Sequence, residues 1–107
     1  MGPLVRREVK DLTANYEVMF ILRPEMEVEA EEAIVNHLQA TIQKFGGEVS
    51  KVDDWGKRKL AYEIKKVNEG HYFLIYFTGT HEIIPELEHF FRVNDEVIRF
   101  LIVKEGA

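Results

Sequence analysis

Residues 53–64 read Asp53-Asp54-Trp55-Gly56-Lys57-Arg58-Lys59-Leu60-Ala61-Tyr62-Glu63-Ile64 and complete a long predicted strand, Glu48 to Ile64. Glycine interrupts this strand at Gly56, where a bulge or bend costs little. A polar turn from Lys65 to Gly70 follows, and His71 to Thr78 is the next predicted strand. Because the connection is short, the two strands are expected to form an antiparallel hairpin in the middle of the chain.

One strand and one helix are predicted before the hairpin. The strand runs from Asn15 to Leu22 and stops at Arg23-Pro24, because proline does not continue a strand interior. The helix runs from about Met26 to Phe45 and stops at Gly46-Gly47, where glycine favours a left-handed cap. Apolar residues line one face of this helix at Ala30, Ile34, Leu38, Ile42 and Phe45.

A short helix and a final strand are predicted after the hairpin. Thr80 is a candidate amino-terminal cap, and Pro85 falls in the first turn, where proline is tolerated. Asn94-Asp95 then turns the chain into a strand from Val97 to Lys104. The buried face of the helix is expected at Ile83, Leu87 and Phe90, with Ile84 and Phe91 beside them.

The order strand, helix, strand, strand, helix, strand predicts an α+β domain of the ferredoxin-like βαββαβ type, a four-stranded antiparallel sheet with two helices on one face. We expect the domain at residues 15–104, a flexible amino-terminal extension at 1–14 and a tail at 105–107. Both faces of the first and third strands are apolar, so the face without helices needs a partner, or a hairpin or the extension folded over it. The other possibility is that aromatic residues with polar tips face water there.

Composition limits the possible classes of protein. The chain has 107 residues, 46% of them hydrophobic, which suits one globular domain. It contains no cysteine, which excludes disulfides and thiolate chemistry and agrees with a cytoplasmic location. Its longest apolar run, Tyr72 to Phe77, is far too short for a membrane helix, so we expect no membrane partner.

Charge is unevenly distributed along this acidic chain, whose net charge is −5. Residues 25–32 and 81–96 are acidic, whereas residues 51–66 hold six cations against three acids. The cations lie between the aromatic residues Trp55 and Tyr62, and this pattern is typical of a local nucleic-acid contact. Charge alone is better explained by lysines that keep a strand edge soluble.

No catalytic, metal or cofactor site is predicted. Ser50 is the only serine and has no nucleophile motif, and Gly46-Gly47 lacks the lysine of a phosphate loop. Paired acids such as Asp53-Asp54 point to opposite faces of a strand. We therefore expect no enzyme activity, no cofactor and no small-molecule substrate. The histidines are too scattered for a helical metal pair and are interpreted as surface residues: His37, His71, His81 and His89.

Four blocks, in this order and spacing, resemble the bacterial small ribosomal subunit protein six family over residues 15–104. They are Asn15 to Pro24 (NYEVMFILRP), Asp54 to Ile64 (DWGKRKLAYEI), Gly70 to Phe73 (GHYF) and Phe91 to Arg99 (FRVNDEVIR). The core WGKRKLAY is specific, although Glu63 stands where many members carry proline. The resemblance implies a ferredoxin-like, non-catalytic component of the ribosome, located in the cytoplasm. It also implies binding to the central domain of small-subunit ribosomal RNA together with small-subunit protein eighteen, and we expect a monomer outside the ribosome.

Within this interpretation, cations neutralise phosphates and aromatic rings pack on sugar or base. Arg58 is the strongest candidate, because a planar guanidinium binds phosphate bidentately. Trp55 is expected to be packed in the core or in the hairpin rather than available for stacking. Arg92, Asn94 and Arg99 have an alternative interpretation as an internal salt bridge and a turn cap. The predicted RNA-binding residues are Arg58, Lys57, Lys59, Tyr62, Tyr16, Arg92, Asn94 and Arg99. The alternative function is a protein-interaction or ligand-sensing module of the same fold that does not bind RNA.

Overall fold

The computed structural model describes residues 13–106. It contains four strands and two helices in the predicted order. In chain order they are β1 (Thr13–Leu22), α1 (Val28–Lys44), β2 (Glu48–Ile64), β3 (Val67–Thr80), α2 (Ile83–Val93) and β4 (Val97–Lys104). None of the helices in this part of the chain is long and apolar enough to cross a bilayer.

The four strands form one antiparallel sheet in the order β2-β3-β1-β4. This order and the two helices confirm the ferredoxin-like prediction. The strands β2 and β4 are the edges, and the long hairpin of β2 and β3 forms one side of the sheet. Side chains alternate between the faces, so directly paired residues share a face.

The helices cover one face of the sheet and enclose the core. Tyr16, Val18, Phe20 and Leu22 of β1 point into it, and Phe20 stacks on Phe73 at 5.4 Å between ring centroids. The helices contribute most of their predicted apolar residues. These buried helix residues are Ile34, Leu38 and Ile42 of α1, and Ile83, Leu87 and Phe91 of α2. Two predictions are wrong: Phe45 is 39% exposed because it lies beyond the last turn of α1, and Phe91 rather than Phe90 is the buried phenylalanine of α2.

Three boundaries differ from prediction. β1 begins at Thr13, and Thr80 belongs to β3 rather than capping α2, whose N-cap is Glu82 without a side-chain hydrogen bond. The expected turn from Lys65 to Gly70 is wrong as well. Ile64 pairs with Val67, so only Lys65 and Lys66 form the turn, both at positive φ (50° and 67°). Positive φ at both positions matches the right-handed twist of a hairpin, although lysine gives no sequence signal for it.

The face without helices, called here the open face, is partly closed by the hairpin itself. Ile21 and Leu74 are buried on it, whereas Leu101 and Val103 of β4 are 55% and 45% exposed. Residues of the distal hairpin and of the open face together line a pocket of about 250 Å³. Its apolar lining comes from Leu60, Tyr62 and Ile64 of β2, Met19 and Ile21 of β1, Tyr72 of β3, and Leu101 of β4. One predicted cover, the long hairpin, therefore protects part of the open face and leaves the outer part of β4 exposed.

Candidate nucleic-acid interface

A bulge at Gly56 shapes the basic part of β2. The register with β3 shifts between Asp54 and Gly56, so Trp55 is the extra residue. The carboxylate oxygen Oδ1 of Asp54 accepts the backbone N–H of Gly56 at 2.8 Å, and Gly56 adopts φ +77°, which favours glycine. The expectation that Trp55 is packed in the core or in the hairpin is wrong: its side chain is 45% exposed, because the bulge turns it out of the regular alternation.

Arg58 packs against this exposed tryptophan. Its guanidinium carbon Cζ lies 5.3 Å from the centroid of the Trp55 ring, within cation–π range. Its Nε donates a 3.3 Å hydrogen bond to the carbonyl of Trp55. Both residues are exposed, and only Nε of the guanidinium is engaged in that bond. The pair therefore presents a stacking surface beside a charged hydrogen-bond donor, the two groups that RNA recognition uses.

Lys57 and Lys59 lie on the other face of β2 from Arg58. Lys57 pairs with His71 and Lys59 with Glu69, whereas Arg58 pairs with Gly70. All three cations are exposed. They form one continuous edge of positive charge, but a single flat surface cannot contact all three side chains.

Tyr62 and Arg99 meet although they belong to opposite edges of the sheet. The Nη1 of Arg99 donates a 2.6 Å hydrogen bond to the hydroxyl of Tyr62, and the guanidinium lies 6.0 Å from the ring centroid. The Tyr62 side chain remains 60% exposed. The structure thus brings together two predicted residues that are far apart in sequence.

A second basic cluster surrounds a groove between α2 and β4. The groove has a volume of about 360 Å³ and is lined by Lys65, Arg92 and Arg99, with apolar residues of α2 and β4 at its base. Lys65 is fixed by a 3.1 Å hydrogen bond from its Nζ to the carbonyl of Val97. Sequence reasoning missed Lys65 as a site residue, because nothing in a turn lysine indicates that the hairpin reaches β4.

Arg92 forms an internal salt bridge and Asn94 caps a turn, as their alternative interpretations predicted. Arg92 lies 3.9 Å from Glu88, one turn earlier on α2, and this exposed pair is worth about 0.3–0.5 kcal/mol. So weak a pair leaves Arg92 available for another anion. The Oδ1 of Asn94 accepts the N–H of Glu96 at 3.0 Å and caps the turn before β4, so its oxygen is already engaged.

Tyr16 does not lie at the surface. Its side chain is only 6% exposed, and its ring stacks on Phe77 at 5.3 Å between centroids. The reason is its position on β1, where it shares the helix-covered face with Val18 and Phe20. Stacking of RNA on Tyr16, as predicted from sequence, does not fit this burial, and we leave Tyr16 out of the candidate interface.

A series of three titratable side chains, which sequence reasoning did not predict, connects α1 to the bulge. Glu31 on α1 is the only buried charged residue in the described part of the chain, at 6% exposure. Its Oε2 lies 2.7 Å from Nδ1 of His71, and Nε2 of His71 lies 2.5 Å from Oδ1 of Asp54. Burial raises the pKa of Asp54, but hydrogen bonds from His71 and Gly56 and the charge of His71 outweigh it and lower that pKa. The two carboxylates lie on opposite ring nitrogens and do not converge as metal ligands, and no metal-binding cluster occurs among residues 13–106.

Sequence comparison places this chain in a known family. The family model described as ribosomal protein S6 matches residues 15–104, which include every element of the sheet. The chain belongs to the ribosomal protein S6 family. The resemblance found in the four sequence blocks is thereby confirmed.

Individual S6 relatives match over most of their length. The small ribosomal subunit protein bS6 of Clostridium novyi (strain NT) is 51% identical over 89 residues, which are 83% of this chain and 94% of that protein. The bS6 of Moorella thermoacetica is 46% identical over 90 residues, 84% of this chain and 92% of that protein. These relatives are named as ribosomal proteins rather than enzymes, and the predicted ribosomal, cytoplasmic location agrees with them.

One solved structure supports the same S6 assignment. The crystal structure of 30S ribosomal protein S6 from Thermotoga maritima has a TM-score of 0.82 and 40% identity, covering 87% of this chain and 88% of that one. The P2 domain of the chemotaxis kinase CheA, solved with the response regulator CheY, has a TM-score of 0.54 at 9% identity. That second likeness concerns the fold alone.

Proposed function

We propose that this S6-family protein is a structural, non-catalytic component of the small ribosomal subunit that binds the central domain of small-subunit ribosomal RNA together with small-subunit protein eighteen. The observation that carries the proposal is the exposed Arg58 guanidinium packed on the exposed Trp55 ring, flanked by Lys57 and Lys59. A ring face and a planar cation side by side suit a sugar-phosphate backbone with an unpaired base beside it. The protein is a monomer until it joins the subunit.

The groove cluster of Lys65, Arg92 and Arg99 supplies a second set of phosphate contacts in this proposal. Three cations, from the β2–β3 turn, α2 and β4, surround one depression, so an anion there meets positive charge from several sides. Tyr62 holds Arg99 at the rim. Asn94 contributes through the turn it caps rather than through its own oxygen.

The exposed apolar part of the open face is the surface that we assign to protein eighteen. Leu101 and Val103 are neighbours on one face of an edge strand, and the hairpin does not cover them. Apolar side chains on an uncovered sheet face favour a protein partner, whereas the basic clusters favour RNA. Separate surfaces for the two partners allow both to bind at once, which cooperative assembly requires.

A filter-binding titration tests this proposal. A central-domain fragment of small-subunit ribosomal RNA is titrated with the protein, with and without protein eighteen, at several salt concentrations. We expect binding that strengthens with protein eighteen and weakens as salt rises, because released counterions drive phosphate contacts. Absence of binding with protein eighteen present, or binding that salt does not change, contradicts the proposal and favours a protein-interaction module without an RNA role.

A further inference from the structure

Three titratable side chains connect helix α1 to the exposed tryptophan through a continuous series of contacts. Glu31 contacts Nδ1 of His71, Nε2 of His71 contacts Asp54, and the same Asp54 oxygen accepts the N–H of Gly56. Gly56 and Asp54 flank Trp55, whose carbonyl accepts a hydrogen bond from Nε of Arg58. The series therefore begins at a buried carboxylate and ends at the proposed RNA contact.

The geometry of His71 determines how many protons it carries. Each ring nitrogen faces a carboxylate oxygen, at 2.7 Å and 2.5 Å. A carboxylate only accepts hydrogen bonds, and a neutral imidazole donates from one nitrogen only. Both contacts are satisfied together when His71 is an imidazolium. Loss of one proton leaves a carboxylate and a bare nitrogen facing each other, which is repulsive.

The surroundings of His71 prevent the ring from replacing a lost contact with another one. The expectation that His71 is a surface residue is wrong, because its side chain is only 12% exposed beneath α1. The ring stacks on Phe73 at 4.3 Å between centroids, so it cannot turn freely toward water. Glu31 is buried and has His71 as its charged partner. Other charged groups on the elements around His71 are Glu27 at the N-cap of α1, Lys57 on β2 and Glu69 on β3.

We propose that Glu31, protonated His71 and Asp54 act together as positioning residues that hold the Gly56 bulge, and with it Trp55 and Arg58, in the conformation that binds RNA. The inference rests on the proposed RNA-binding function and makes that function depend on the protonation of His71. While His71 carries a proton on each ring nitrogen, it donates to both carboxylates and Asp54 is held on the bulge. When the ring carries only one proton, the contact with one carboxylate is lost and the Trp55–Arg58 pair is no longer fixed.

The first test needs no RNA. Trp55 is the only tryptophan of the chain, so intrinsic fluorescence reports on the bulge. We expect the emission of the folded protein to change with pH over the range in which imidazole side chains change charge, about pH 5 to 8. His71→Gln should abolish this change, because the glutamine amide does not change its charge in this pH range. Asp54→Asn, which keeps the side-chain shape without its charge, should abolish it too.

The matched control is His89→Gln, the same chemical change at an exposed position on α2. It should leave the pH profile of Trp55 emission as in the unmodified protein. A profile that is flat in the unmodified protein, or unchanged by His71→Gln, overturns the inference.

The second test measures affinity for the central-domain RNA fragment with protein eighteen present, at pH 6 and pH 8.5 and constant salt. We expect the unmodified protein to bind roughly tenfold more tightly at pH 6 than His71→Gln does, the scale of one charge-assisted hydrogen bond. The two should converge at pH 8.5. If His71→Gln lowers the thermal stability but its folded form binds as tightly at pH 6, His71 belongs to the fold only and the inference is wrong. If no protein binds RNA at any pH, the proposed function fails, while the fluorescence profiles still test the positioning chain.

Discussion

Arg99 on β4 donates a 2.6 Å hydrogen bond to the hydroxyl of Tyr62 on β2, although these strands are the two edges of the sheet. Two strands lie between them, a separation of about 14 Å if the hairpin stayed in the plane of the sheet. The distal hairpin must therefore leave that plane and cross the end of the open face. This crossing brings Lys65 to the carbonyl of Val97 and creates the basic groove.

Tyr62→Phe tests whether this bond holds the hairpin across the sheet. The change removes the hydroxyl and keeps the ring, so we expect the free energy of unfolding to fall by about 0.5–1 kcal/mol, the net value of one exposed hydrogen bond. Urea denaturation measures this loss. The control is Tyr76→Phe, which removes the same hydroxyl from a tyrosine of β3 on the open face; it should lower the free energy of unfolding by less. An equal loss in both variants would mean that the bond with Arg99 does not stabilise the hairpin.

Arg58→Ala separates an RNA contact from a role in folding. The side chain is exposed and packs only along the surface of Trp55, so we expect unchanged thermal stability and weaker binding of the central-domain RNA fragment. The slope of log affinity against log salt should become shallower by about 0.7–0.9, the value for one phosphate contact. Arg23→Ala removes the same charge from the loop after β1 and is the control. A large loss of stability in Arg58→Ala, or an equal loss of affinity in Arg23→Ala, contradicts the assignment.

Leu101→Glu tests the surface assigned to protein eighteen. Leu101 is 55% exposed, so a glutamate there should leave the fold intact but place a charge on the proposed contact. We expect the RNA affinity of the protein alone to stay within twofold, about 0.4 kcal/mol, while the gain from protein eighteen is lost. Val28→Glu introduces the same charge at an exposed apolar residue in the first turn of α1. Protein eighteen should still enhance binding by that control variant, and enhancement of Leu101→Glu would place the partner elsewhere.

The decrease in the free energy of unfolding at acid pH should depend on Asp54. Its pKa lies below the ordinary value of 3.8 in the folded protein, because its hydrogen bonds and the charge of His71 outweigh the effect of burial. A lowered carboxyl pKa adds stability above the unfolded-state pKa, and this contribution disappears as pH falls through the folded-state pKa. We therefore expect the unfolding free energy to decline below about pH 4 less steeply in Asp54→Asn than in the unmodified protein. Asp53→Asn, the neighbouring change on the opposite face of β2, is the control; identical decreases at acid pH in all three proteins would contradict this role of Asp54.

Periodicity in the sequence predicts the fold well where one face of an element is apolar. Ile34, Leu38 and Ile42 define the buried side of α1, and β4 is predicted with both of its ends correct. The same alternation places Tyr16 with Val18 and Phe20. Only the sheet order identifies that face as the one covered by helices, which is why the sequence left Tyr16 as a candidate for RNA contact.

The candidate site is less predictable because it depends on departures from regular structure. Trp55 is exposed by a bulge of one residue, and the Lys65–Lys66 turn adopts positive φ without glycine or asparagine. His71 gives no sequence signal either, since its partners Glu31 and Asp54 are 40 and 17 positions away. Such contacts follow from how the hairpin and α1 pack, which residue spacing alone does not reveal.

The position of β1 in the sheet has a consequence for how this chain folds as it is synthesised. Its two sheet neighbours, β3 and β4, both come later in the sequence, and β4 is the last element of the described residues. β1 must therefore wait until α1, β2, β3 and α2 have been synthesised before β4 can complete its hydrogen bonds. Long-range pairing of this kind slows folding. We expect the nascent chain to fold late, after β4 has left the exit tunnel, so that truncations within β4 should be far more susceptible to protease than the intact protein.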